Sequence, residues 1–370
     1  MIVKIILLLT SAVVTHSAVN FDSVHADPVN QTDFCSIYDG QKLDLSNLTV
    51  IREEGIQRSY EGYNNLEGPV WLDGALFYSN IGNKNDPETG QFLNNQTTIW
   101  RWVPGNKAEI WLDDSIAGSN GMAIDENGDL VMARHLDGSI TRLDSESKSL
   151  TTLADGFQGK RFNSPNDLTI ASDGTIYFTD PDWNVPITNS QPIQGGDAQH
   201  VYRINAKGDL AKTNATELVE KLGNKPNGIV LSLDETELLV AGLEGLWSFK
   251  RGDDDLSSPK RLMKTPIDGM GKDCAGNIYV TTTRANSDST NYQTIVILDK
   301  AYSEVGEIPI PDIQIVTNVA FGGPDRDVLY ITSLTVPDKD DGSGPRICSG
   351  NPCKAAGIYS VQLNVPGFPY

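Results

Sequence analysis

A short pattern returns six times along this chain: an apolar strand, a turn built on aspartate, and a second apolar strand. The first copy reads Val70-Trp71-Leu72-Asp73-Gly74-Ala75-Leu76-Phe77-Tyr78, and the third Ile170-Ala171-Ser172-Asp173-Gly174-Thr175-Ile176-Tyr177-Phe178. The turn aspartates are Asp73, Asp125, Asp173, Asp234, Asp273 and Asp325, spaced by 52, 48, 61, 39 and 52 residues. Aspartate and glycine between alternating apolar runs signal a hairpin, because Asp bonds its own backbone and Gly accepts a left-handed conformation. Outer strands fall between the copies, as in Ile99-Trp100-Arg101-Trp102 and Val201-Tyr202-Arg203-Ile204. A period of about 50 residues made of short antiparallel strands describes propeller blades. One blade cannot bury both its faces, but blades packed around an axis can, and they leave no long edge open. The sequence therefore predicts an all-β fold, a six-bladed β-propeller of four-stranded blades over residues 45–370. A two-domain β-sandwich is the alternative. A strand near Leu48–Arg52 is expected to close the ring beside one near Ile358–Leu363.

The ends of the chain read differently. Residues 1–18 combine Lys4, an apolar run from Ile5 to Val14 and a small residue at Ala18, the pattern of a secretory signal peptide. A second candidate cut follows Ala26. The run is too short to span a bilayer, so a secreted, extracellular protein is expected. Residues 19–44 are polar and irregular and read as an N-terminal extension. The formal charge is −20 for 370 residues, with only Lys4 lost on cleavage after Ala18. Such an acidic exterior argues against nucleic acid or an anionic membrane as partner. Four cysteines in an exported chain suggest two disulfides. Cys348 and Cys353 can close a small loop, which leaves Cys35 and Cys274 to tie the extension to the body. Sequons stand at Asn30, Asn47, Asn95 and Asn214.

In a propeller the innermost strand of each blade runs beside the central channel, and the residue entering it sits at one mouth. Four such positions carry an oxygen donor at similar distances from the turn aspartate: Glu67, Asn166, Asn227 and Asp268. Asn120 and Asn318 fit the same pattern. Each alone is an ordinary turn residue. Together they are two carboxylates and two amides without His or Cys, a donor set suited to a hard divalent cation, Ca²⁺ foremost. Zinc ordinarily takes nitrogen or sulfur.

The sequence also resembles the senescence-marker-protein/gluconolactonase/regucalcin family of six-bladed propellers. The resemblance rests on Glu67-Gly68-Pro69-Val70-Trp71, Ser119-Asn120-Gly121-Met122, the stretch from Gly159 to Asp167, and Tyr177-Phe178-Thr179-Asp180-Pro181. Pro226-Asn227-Gly228, Asp268-Gly269-Met270 and the stretch from Asn318 to Gly323 extend it to most of the mature chain. It is nearest the exported gluconolactonase-type branch. It implies one catalytic divalent ion held by Glu67, Asn166, Asn227 and Asp268, with Asp268 doubling as the catalytic acid–base; Asn166 is read as a second catalytic residue, touching both metal and substrate. Ca²⁺ is the expected ion, with Mg²⁺, Mn²⁺ or Zn²⁺ as alternatives. Related phosphotriesterases hold a second calcium partly through an acid three residues after the counterpart of Asp268. Here that residue is Gly271, so no such site is expected.

The expected reaction is hydrolysis of a small sugar lactone such as gluconolactone to the aldonic acid, with the cation as Lewis acid and a carboxylate assisting water. Another lactone, an ester or an organophosphate at the same site is the alternative, as is a non-enzymatic metal-binding propeller. Arg161, Asn120 and His135 are candidate substrate contacts, with Arg134 beside them, and Trp183 is a candidate apolar wall. No Gly-x-Ser-x-Gly elbow or phosphate-binding glycine loop occurs in the sequence. The oligomeric state has no signature in the sequence.

Overall fold

The fold was taken from a computed structural model, which describes residues 31–56, 64–85, 92–113, 118–183, 199–253, 255–287, 290–335, 347–348, 351–352 and 356–368. Apart from the helix Gln31–Ser36, the short helix Ala215–Leu218 and the 3-10 turn Glu220–Gly223, the described secondary structure is β. Each repeat opens with a strand that faces its neighbours: β1 (Asn64–Leu72), β2 (Met122–Ile124), β3 (Leu168–Ile170), β4 (Pro226–Leu231), β5 (Ile267–Lys272) and β6 (Ile315–Gly322). Behind β2, β3, β4 and β5 lie four separate four-stranded antiparallel sheets. The strands behind β1 and β6 belong to one eight-stranded sheet, joined where Asn64 and Asn65 pair with Thr335 and Leu334. The last strand on the β6 side is Ile51–Arg52, which pairs with Ser360 and Tyr359 and so ties the start of the body to its end. The expectation of an all-β chain of four-stranded antiparallel sheets therefore holds.

The turn aspartates do the work their spacing suggests. Asp125 Oδ1 accepts the backbone N–H groups of Asn127 and Asp129, and Asp173 and Asp234 accept those of Thr175 and Thr236. Each side chain thus replaces a backbone turn bond. At the first hairpin Asp73 and Gly74 both hold positive φ, the geometry that matches strand twist in a two-residue loop.

The core is distributed between sheets. Apolar side chains of the β1 and β2 sheets meet around Val70, Phe77, Ile99, Met122 and Met132. Equivalent clusters lie between each following pair of sheets. The sixth joins Trp71, Trp100 and Trp102 of the first sheet to Ala320, Tyr330 and Ile358 of the last. Each strand from β1 to β6 touches the next, and β6 touches β1. Burial of two faces per sheet is what makes alternate residues of both registers apolar.

The seventh cluster lies elsewhere. Cys35 and Cys274 form a disulfide, and Phe34, Tyr38, Val365 and Phe368 pack around it. This clasp stands beyond the C-terminal end of β5, where Asp273 pairs with Gly367. The other expected bridge involves Cys353, which lies outside the described residues, as do the signal segment and the sequons at Asn30 and Asn95.

Candidate active site

Every inner strand is irregular at the same place. The ladders of β1, β4, β5 and β6 shift register after Glu67, Pro226, Ile267 and Val316. Ahead of β2 and β3 the same irregularity is carried by single bonds: Ala133 faces both Asn120 and Gly121, and Thr179 faces both Asn166 and Asp167. Two residues opposite one is a β-bulge, which bends the strand and re-aims its side chains. The bulged pairs are Gly68-Pro69, Asn120-Gly121, Asn166-Asp167, Asn227-Gly228, Asp268-Gly269 and Thr317-Asn318. Glu67 stands one residue earlier and has the longer side chain.

Glycine brings these bulges together. A Cβ on Gly121 would lie 2.5 Å from Asp167 Oδ1, and one on Gly269 would lie 2.2 Å from Asn318 Oδ1. A Cβ on Gly228 would stand 2.3 Å from the Asp268 carbonyl oxygen. Adjacent strands approach this closely only because no side chain intervenes.

Three carboxylates converge as a result. Glu67 is buried, and burial followed by the charges of Asp268 and Asp167 holds its carboxyl well above the usual range. Asp268 is pushed up to about 7 by burial and then by Asp167, while an N–H from the Asn227 side chain opposes the shift. Asp167 is also pushed up to about 7 by burial, against hydrogen bonds from the Leu168 N–H and the Asn318 amide. Glu67, Asn166 and Asp167 are buried, whereas Asn227 and Asp268 keep part of their surface open to solvent. Among the described residues no Lys or Arg pairs with any of the three carboxylates. Nor do three His, Cys, Asp or Glu side chains close into a cage of their own. The donor set is mixed carboxylate and amide oxygen, the chemistry of a hard cation. Buried carboxylates that raise one another's pKa are relieved by a cation, so these residues fit one.

Asp167 is the member that sequence reasoning passed over. Beside Asn166 it reads as a turn residue. Its signal was its position, second in the bulged pair, the place Asn318 holds in the last repeat.

The remaining candidates are placed as follows. Asn120 is buried at its bulge, and its carbonyl accepts the Ser79 hydroxyl at 2.8 Å. Arg161 directs its guanidinium at four backbone carbonyls, those of Leu136, Asp137, Phe162 and Asn163, at 2.6 to 3.2 Å. It braces the loop that leads to Asn166. Asp180 braces the same loop by accepting the N–H groups of Asn163 and Ser164 at 2.9 and 2.8 Å, which explains the Thr179-Asp180-Pro181 stretch. Arg134 pairs with Asp137. His135 is buried with Nε2 3.2 Å from the Thr97 hydroxyl, and burial lowers it to about 3, so it is neutral at neutral pH.

The sequence profile of the SMP-30/gluconolactonase/LRE-like region matches residues 66–335, from the strand that bears Glu67 to the strand Val328–Thr335. The chain belongs to this family. It is 28% identical over 265 residues to a gluconolactonase of Zymomonas mobilis, covering 64% of this chain and 68% of that one. Among solved structures it resembles a gluconolactonase of Xanthomonas campestris at a TM-score of 0.60 and 23% identity, covering 86% of this chain and 91% of that one. It resembles regucalcin, a calcium-binding protein of Agrobacterium tumefaciens, at 0.54 and 16%, covering 84% and 96%. These two likenesses show a shared, propeller-like fold.

Proposed function

We propose that this SMP-30/gluconolactonase-family chain is a divalent-metal-dependent lactonase, a hydrolase of ester bonds that opens a sugar lactone to its aldonic acid at one mouth of a six-bladed propeller. The observation that carries the reading is the cluster of Glu67, Asp167 and Asp268, met by the amides of Asn227 and Asn318 and by no basic partner among the described residues. The ring of inner strands and the six inter-sheet clusters support the blade count. The gluconolactonase relative supports the substrate class. The calcium-binding neighbour supports the ion. The Cys35–Cys274 bond supports export.

Glu67, Asn166, Asn227 and Asp268 would hold the cation, with the charge of Asp167 close to Glu67 and Asp268. When bound, such an ion supplies Lewis-acid polarisation of the ester carbonyl. Asp268 is the group placed to move a proton. It is partly open to solvent, and a cation beside it would hold it as the carboxylate, the form that takes a proton from water. Water attacks the carbonyl carbon as Asp268 takes its proton, the ring C–O bond breaks, and the leaving oxygen is protonated in turn. The Asn227 N–H keeps the Asp268 carboxylate oriented, and Arg161 and Asp180 hold the Asn166 loop.

The test is proton release from D-glucono-1,5-lactone in weak buffer after chelation and with Ca²⁺, Mg²⁺, Mn²⁺ or Zn²⁺ restored, with spontaneous opening subtracted. Release that returns with one ion supports the reading and names the ion. Folded protein that opens this lactone and other lactones no faster than buffer with any ion overturns it.

A further inference from the structure

The rim between the β3 and β4 sheets carries a side-chain group that the chemistry above does not use. Thr179 Oγ1 donates to the Asn227 carbonyl at 2.8 Å, so the second strand of one sheet lies against the start of the next. Four residues beyond Thr179, toward the mouth, stands Trp183. Two residues before Asn227 stands Lys225. The lysine Nζ lies 4.4 Å from the centre of the Trp183 ring and also pairs with Asp182.

Three features fix this group in place at the surface. Trp183 is 39% exposed, in a chain whose other large aromatic rings serve mostly as core. Lys225 holds a φ of +58°, a left-handed conformation that Gly or Asn adopts at lower cost. That conformation is held in place: Gln199 Oε1 accepts the backbone N–H of both Lys225 and Asp182, at 3.0 and 3.3 Å. A strained lysine and an exposed indole are thus fixed to each other and to the rim that ends at Asn227.

We infer that Trp183 and Lys225 form the wall that recognises the polyhydroxylated part of the substrate, making the enzyme selective for sugar-type over unsubstituted lactones. This rests on the lactonase reading and names what its substrate must carry. The lysine lies over one face of the indole, so the C–H face of a sugar ring would meet the opposite electron-rich face. The Lys225 ammonium has three donors, and pairing with Asp182 leaves others for hydroxyl groups beside the ring. The charge of Asp182 offsets that of the lysine, which suits neutral hydroxyls rather than an anionic group.

The experiment compares two lactones of one ring size, D-glucono-1,5-lactone and δ-valerolactone, on wild type, Trp183→Ala and Lys225→Met with the activating ion present. Removing contacts to one part of a substrate is expected to lower kcat/KM for the hydroxylated lactone by about tenfold and to leave δ-valerolactone within about twofold. Calorimetric titration with D-gluconate, the opened product, gives a readout without turnover, and each variant should weaken it by about tenfold. An equal fall on both lactones makes the pair a support for the Asn227 strand and overturns the inference, as does no change on either. If wild type opens neither lactone but binds gluconate and the variants lose it, the lactonase reading fails while the wall stands. Gluconate binding that is unchanged in the variants removes the wall.

Discussion

Asp268 and Asp273 sit at the two ends of one strand, β5, and both are acids whose pKa burial raises. Their surroundings differ. Asp273 has no exposed surface and receives four hydrogen bonds, from the backbone N–H groups of Ala275 and Asn277, the Asn277 amide and the Tyr279 hydroxyl, at 2.7 to 2.9 Å. It completes a turn and supports the Cys35–Cys274 clasp beside it. Asp268 has one amide donor, Asn227, and faces Asp167 and Glu67, which repel it. A satisfied buried carboxylate serves structure. One left among other carboxylates is a cost to the fold that makes sense only where something positive binds.

The contrast is broken most sharply at Asp268. Asp268→Asn keeps the shape but removes the proton acceptor and one of the repelling charges. Lactone opening should fall by about 10²–10⁴, while the Tm of the metal-free protein should stay level or rise. A parallel loss of Tm would move Asp268 into the same class as Asp273.

The converse substitution is Asp273→Ala. It leaves buried donors unpaired and should cost about 3 kcal/mol of stability, read by denaturant unfolding. The folded fraction should keep its activity, because the turn is a strand's length from the site. Cys35→Ser, at the same end, should cost about 2–4 kcal/mol and leave kcat/KM unchanged. A specific loss of activity in either variant would mean that the two ends are not independent.

The remaining contrast between the two ends is in pH. Acids whose folded pKa is raised contribute stability that is present below their unfolded value and is lost as pH rises through the folded value. Asp167 and Asp268 are raised to about 7. The Tm of chelated protein should therefore fall as pH rises from about 5 to about 8. A bound cation should flatten that slope, and its affinity should weaken as protons compete below about pH 7. A slope that chelation leaves unaltered would contradict the account of the mouth as the uncompensated end.

Much of the architecture was legible in the sequence because its causes are local. The Asp turns bond to backbone groups two to four residues away, so their spacing announces the hairpins and the period. A polar residue at the start of each inner strand is visible for the same reason. The partners of Arg161 were not legible, because they include carbonyls from the preceding sheet, more than twenty residues away.

What only the tertiary structure decided is which oxygens meet. Asp167 enters the site because its bulge lies against Gly121, a contact across 46 residues of chain, and Asn318 reaches it across 151. The raised carboxyls and the rim of Trp183 and Lys225 likewise depend on neighbours from other repeats. Period and turns follow from short-range hydrogen bonding and hydrophobic alternation, which a sequence displays directly. Charge environment depends on distance and burial, and these exist only once the sheets have packed.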